Sequence, residues 1–108
     1  MHIDIISALP ELLESPLSHS IMKRARAKGL LEVRVINLRE YGLGRHAQID
    51  DYQYGGGAGM VMMAEPLAAC IDELMKSRSY DEVIYMTPDG ERLDQACANR
   101  LSLHGNLL

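Results

Sequence analysis

Three short runs rich in β-branched residues, HIDIIS (2–7), LEVRVINL (31–38) and DEVIYM (81–86), are separated by stretches with helical spacing. That alternation leaves few architectures open. Strands joined through helices need crossover connections, so the expected sheet is mostly parallel and the fold class α/β. The 108 residues suffice for one small domain. Its core must be built without Phe or Trp, from Leu, Ile, Val, Ala and seven Met. The cluster Met60, Met62 and Met63 is therefore expected to fill gaps in that core.

The connecting segments carry ordinary helix punctuation. Pro10 suits a first helical position, with Glu11 where the helix dipole favours an acid, and Pro16 should end or kink that helix. A second helix is expected from Ser18 or Ser20 as N-cap to Lys28, stopped by Gly29, with Leu17, Ile21 and Ala25 as its buried stripe. Pro66 opens an amphipathic helix reaching about Lys76, with Leu67, Cys70, Ile71, Leu74 and Met75 on one face. A last helix is expected over 93–103 with Asp94 near its start. The closing GNLL reads as the beginning of another strand. A parallel sheet does not end on an exposed apolar stub, so the 108 residues are expected to be part of a longer protein. Cys70 and Cys97 fit no metal or redox spacing and read as buried thiols in a reducing compartment. With no secretory leader pattern and no apolar run of membrane-spanning length, the expectation is a soluble, cytoplasmic protein.

From Arg39 to Gly59 no periodicity is sustained, and glycine occupies positions 42, 44, 55, 56, 57 and 59. A compact domain seldom carries so long an irregular stretch without using it. The run DDYQYGGGAGMVMM (50–63) strips side chains from the backbone, so peptide N–H groups can approach phosphates, ribose hydroxyls or base edges. It is neither a Walker loop nor a dinucleotide fingerprint, since no GK[ST] follows and no strand feeds a helix through GxGxxG. Arg45, His46, Asp50, Asp51, Tyr52 and Tyr54 surround the glycines. Arginine can pair with phosphate, and the tyrosines can stack on a base or simply pack the loop down.

Net charge is −4, yet Lys23, Arg24, Arg26, Lys28, Arg34, Arg39 and Arg45 face only Glu32 and Glu40 between positions 23 and 45. A polyanion-binding face and a solvated helix with surface arginines both fit that asymmetry. The second candidate site is VIYMTPDG (83–90). Ligands of open α/β sheets sit beyond the carboxyl ends of strands, and here Tyr85 and Met86 can flank a purine before Pro88 and Gly90 force a turn. An ordinary strand-to-helix turn would carry the same residues.

Taken in series, IISALPELL, LLEVRVINLREYG, RHAQIDDYQYGGGAGMVMMAEPL and VIYMTPDGERLDQ resemble the bacterial TrmD family, tRNA (guanine-N1)-methyltransferases of the SPOUT class. The resemblance runs from Met1 to Leu108, and its most specific part is D-D-x-x-Y-G-G-G-x-G-M-x-M. Family members usually have proline where this chain has Ala58. The resemblance implies the N-terminal part of a parallel-sheet SPOUT-type methyltransferase domain, without the trefoil knot or the C-terminal tRNA-binding domain. It implies a homodimer that uses S-adenosylmethionine to methylate N1 of the guanine 3′-adjacent to the tRNA anticodon. By position, Tyr85, Met86, Thr87, Pro88 and Gly90 match the family's first cofactor-contacting loop. Arg45, His46, Asp50, Gly55, Gly56, Gly57, Gly59 and Met60 match the part that touches tRNA. The two loops can serve different pockets of a dimer. No catalytic residue and no metal ligand is assigned within the chain; the general base is expected beyond Leu108, and the 108 residues alone are expected to be inactive. The alternative is a non-catalytic RNA- or nucleotide-binding module.

Overall fold

The computed structural model describes all residues, 1–108. Strand β1 (His2–Ser7) leads through a 3-10 turn (Pro10–Leu13) and two short helices, α1 (Glu14–Ser18) and α2 (Ser20–Ala27), to β2 (Glu32–Asn37). A 3-10 turn (Leu38–Tyr41) and the hairpin β3 (Asp50–Tyr52) and β4 (Met60–Met62) follow, then α3 (Ala64–Ser77), α4 (Gln95–Leu101) and β5 (Asn106–Leu107). The main sheet has the order β2-β1-β5, with both pairings parallel, and β3-β4 form a separate antiparallel ribbon. The expected α/β class with a parallel sheet is therefore the observed one.

Local chemistry accounts for most element ends. Asp94 is the N-cap of α4, its Oδ1 accepting from the Cys97 N–H at 2.8 Å. Asn37 does the same for the second 3-10 turn through the Arg39 N–H. Gly29 ends α2 at φ +71°, the left-handed conformation that suits a helix stop. The expected serine cap of α2 is absent: His19 occupies that place without a side-chain cap bond. Pro16 lies within α1 near its start, where its missing N–H costs nothing.

The core lies where α3 packs on the second 3-10 turn, around Ile36, Leu38, Ile49, Cys70 and Leu74. Fully burying a side chain such as Leu38 contributes about 2 kcal/mol. Cys70 and Cys97 are buried, free thiols, and burial pushes the Cys70 thiol up from its ordinary range.

Several expectations are corrected here. The segment 81–86 does not form a regular strand. It lies beside β5, with Glu82 bridging Leu107 in parallel, and Ile84 N–H to Leu108 O (2.7 Å) is its last backbone rung. Ile21, placed on the buried stripe of α2, is 70% exposed, and no residue of α1 or α2 is buried. Met75 is also exposed, because the buried side of α3 is the narrower row Pro66, Cys70 and Leu74. Met60 and Met62 are not core: they sit on the exposed ribbon, about half accessible. In β1 it is His2 and Asp4 that are buried, while the isoleucines line an open cleft.

Candidate functional site

The irregular stretch after Tyr41 resolves into two successive chain reversals. In the first, an antiparallel bridge between Leu43 and Gln48 closes a turn carrying Arg45 and His46, both exposed. Gly42 is required at its base: a Cβ there would lie 2.3 Å from the Ala47 carbonyl carbon and oxygen. Ile49 then dips into the core and accepts the Met63 N–H at 2.7 Å, which anchors the second reversal.

That second reversal is the β3-β4 ribbon, in register Asp50↔Met62, Asp51↔Val61 and Tyr52↔Met60. Its tip turns at Gln53–Gly56, where the Gly56 N–H donates to the Gln53 carbonyl at 3.0 Å. Gly55, Gly56, Gly57 and Gly59 have φ between +83° and +114°, a region that strains any residue with a Cβ. The Gln53 side-chain amide donates to the Ala58 carbonyl and braces the tip from within. Around this backbone Tyr52, Tyr54, Met60 and Val61 all face outward. Asp50 is half-buried; its carbonyl accepts from Gln48 Nε2 at 2.8 Å, leaving its carboxylate outside that bond. The residues read from the sequence as a substrate-facing group thus share one continuous surface excursion, Arg45 and His46 on its first turn and Asp50 to Met60 on its second.

The other candidate, Tyr85–Gly90, is a proline-led turn in which the Gly90 N–H donates to the Thr87 carbonyl at 3.3 Å. The Thr87 hydroxyl donates to the Asp89 carboxylate and holds its pKa below the usual value. Gly90 leaves room that a side chain would fill, since a Cβ there would come within 3.1 Å of Thr87 Cγ2. Tyr85 and Met86 are 74% and 78% exposed. They border an apolar cleft of about 430 Å³ that Ile3, Ile5, Leu67, Ile71 and Leu107 also line. Met62 of the ribbon lines the same cleft, so the base of the glycine ribbon and the 85–90 turn meet at one opening. Nothing in the residue pattern pointed to that meeting, because Met62 read as core. A volume of this size suits a small organic ligand. An exposed ring and a thioether at the mouth of an apolar cleft can flank a flat ligand.

Sequence reasoning missed a buried polar cluster at the sheet's centre. Asp4 is 1% exposed and accepts from Arg34 Nε (2.9 Å) and Nη2 (2.7 Å), from the Tyr80 hydroxyl and from His2 Nε2 at 2.9 Å. Burial alone would raise its carboxyl pKa; the hydrogen bonds from Arg34, Tyr80 and His2 outweigh it and hold the value down to about 2. Tyr80, desolvated and bonded to that carboxylate, is pushed up to about 12. His2 Nδ1 lies 3.1 Å from Glu32 Oε2 but makes no hydrogen bond of acceptable geometry. The only available signal was an aspartate inside an isoleucine run, which called for a partner without naming it. Of the seven basic residues between 23 and 45, Arg34 is thereby engaged by the buried Asp4, although its own side chain stays 47% exposed; those of α2 are exposed too. No helix is long and apolar enough to cross a membrane, and no three His, Cys, Asp or Glu side chains converge as metal ligands would.

A family model described as tRNA (Guanine-1)-methyltransferase TrmD matches residues 1–108. Curated relatives named tRNA (guanine-N(1)-)-methyltransferase align with all of this chain. Those from Flavobacterium johnsoniae and Chlorobaculum tepidum are 56% identical, with 48% and 47% of their lengths covered. The relative from Cytophaga hutchinsonii is 57% identical, with 46% covered. The crystal structure of tRNA (m1G37) methyltransferase from Aquifex aeolicus superposes with a TM-score of 0.87 at 31% identity, covering 99% of this chain and 48% of that one. The chain spans about half the length of the relatives it matches.

Proposed function

Because the chain belongs to the tRNA (guanine-1)-methyltransferase family over its whole length, we propose that it forms two substrate-facing loops of a methyl-transferring enzyme. The reaction is transfer of the methyl group of S-adenosylmethionine to N1 of the guanine 3′-adjacent to the tRNA anticodon, carried out by the full-length protein. The observation that carries this reading is the glycine ribbon 50–63, whose tip backbone is held in glycine-only conformations and whose aromatic and ionisable neighbours face outward.

When bound, S-adenosylmethionine supplies an electrophilic methyl group on sulfonium. Tyr85 and Met86 would flank its adenosyl part and the Thr87–Gly90 turn would offer backbone groups. Arg45 and His46 would meet phosphate and ribose, while Asp50, Gly55, Gly56, Gly57, Gly59 and Met60 would frame the guanine after it leaves its stack. Guanine N1 bears a proton at neutral pH, so an acceptor is needed before or during attack. That role goes to the remainder of the full-length protein and not to Asp50 or Asp51. What these loops contribute is positioning: in-line attack depends on how guanine and sulfonium are held relative to one another. Their meeting at Met62 supports one shared opening, and a homodimer can complete it from a second copy. The same reading makes the enzyme cytoplasmic, as tRNA is.

The test is methyl transfer from labelled cofactor to tRNA transcripts by the full-length protein. Label should enter the normal transcript and not one in which the anticodon-adjacent guanine is replaced; equal labelling of both would refute the substrate assignment. The 108 residues alone should show no turnover, and robust activity from them would contradict the division of labour.

A further inference from the structure

The position of the 85–90 turn is set at its root. Tyr85 and Met86 make no backbone hydrogen bond. The preceding residues are fastened repeatedly. The Asp81 carboxylate accepts the Gly105 and Asn106 N–H groups, each at 2.8 Å, and its N–H donates to the Asn106 carbonyl at 2.9 Å. The Leu108 N–H donates to the Glu82 carbonyl at 3.1 Å, and Ile84 closes the series on Leu108. Those ties all run to β5 and its flanks. Tyr80 is the residue of this segment whose side chain hydrogen-bonds to the central strand β1, donating to Asp4 across 76 positions of sequence.

Asp4 is an unusually demanding partner. An ionised carboxylate offers about four acceptor directions. Arg34 uses one on each oxygen, His2 one on Oδ1 and Tyr80 one on Oδ2. With the other directions taken and the group 1% exposed, a single place is left for the Tyr80 hydroxyl. An apolar residue at position 80 could bury the same area, but it would not fix a direction.

We propose that Asp4, Arg34 and Tyr80 form a clasp that positions the Tyr85–Gly90 turn, with Tyr80 as a positioning residue for cofactor binding. This rests on reading that turn as the cofactor-holding one. The clasp couples β1 and β2 to the mouth of the cleft through one oriented bond, so cofactor affinity depends on a residue that does not touch the ligand.

The test is Tyr80→Phe in the full-length protein, read by amide exchange and steady-state kinetics. A bond to a charged group is strong enough that exchange at Ile84 and Gly90 should quicken about tenfold or more, with Ile5 and Val35 changed by less than about twofold. KM for S-adenosylmethionine should rise about tenfold, with KM for tRNA unchanged. Uniform acceleration across the sheet, or none at Ile84, overturns the clasp. Local loosening with an unchanged cofactor KM overturns the cofactor reading of the turn while Tyr80 remains its fastener. Arg34→Lys, which keeps the charge but loses the paired donors, reads the same split if the phenylalanine variant does not fold.

Discussion

Asp4 and Tyr54 mark two opposite uses of polar and aromatic side chains in one small chain. Asp4 is 1% exposed with every acceptor direction filled, and its partners come from β1, β2 and the segment before the 85–90 turn. Tyr54 is fully exposed at a tip whose glycines hold φ values no other residue adopts cheaply. In the first region a buried charge is tolerated because its network is complete, and the completeness selects one geometry. In the second the backbone shape is equally specified, by glycine and the Gln53 brace, but Tyr52, Tyr54, Met60 and Val61 around it are exposed. The contrast separates what holds the fold from what is offered to a ligand.

The largest effect that can break this contrast is expected from Asp4→Ala, which leaves Arg34, His2 and Tyr80 facing a void. It should cost about 3 kcal/mol in urea denaturation, the loss typical of one partner of a buried pair; a cost near zero would make the cluster ornamental. Acid should reveal the same carboxylate. Its folded pKa, about 2, lies below the ordinary 3.8, so its contribution is present above pH 4 and lost as pH falls from 3.8 towards 2. The loss is about 2 kcal/mol and should vanish from the Asp4→Ala variant. Tyr80 acts in the other direction: its raised pKa favours the fold below pH 10, and that support goes as pH rises towards 12.

Smaller effects sharpen the other side. Gly42→Ala drives a Cβ to 2.3 Å from the Ala47 backbone and should cost about 1–2 kcal/mol, opening the turn that carries Arg45 and His46; thermal melting checks it. Arg45→Ala should leave stability within about 0.5 kcal/mol. It should lower by about one the slope of log affinity against log salt for tRNA, measured by filter binding at several salt concentrations.

How much of this was legible in the residues follows the same division. Periodicity and caps located β1, β2, α3, α4 and β5, because local signals such as Asp94 and Gly29 act on their immediate neighbours. The segment 81–86 read as a strand from its composition, but a strand needs a partner along its length, and pairing ends at Ile84. Ile21 and Met62 read as core because hydrophobicity gives a tendency to bury without saying what covers the residue. The glycine run and its flanking residues were identifiable as a candidate surface, since a long glycine-bearing loop has few other uses. Its arrangement as a ribbon depended on which of its residues pair across the turn, and its approach to the 85–90 turn on a meeting of Met62 with residues more than twenty positions away. The Asp4 cluster was invisible for a related reason: apart from His2, its donors lie 30 and 76 positions away.

The separation of fold from offered surface is tested most directly by Gly56→Val in the full-length protein, with kcat/KM for tRNA and the melting temperature measured together. No atom lies within 4 Å of the added Cβ, but φ +83° strains a β-branched residue, so the exposed tip must give up its glycine conformation. The expected result is a fall in kcat/KM of about tenfold or more, with the melting temperature within about 2 °C of the parent protein. An unchanged kcat/KM would contradict the assignment of the glycine ribbon as the surface that meets the substrate.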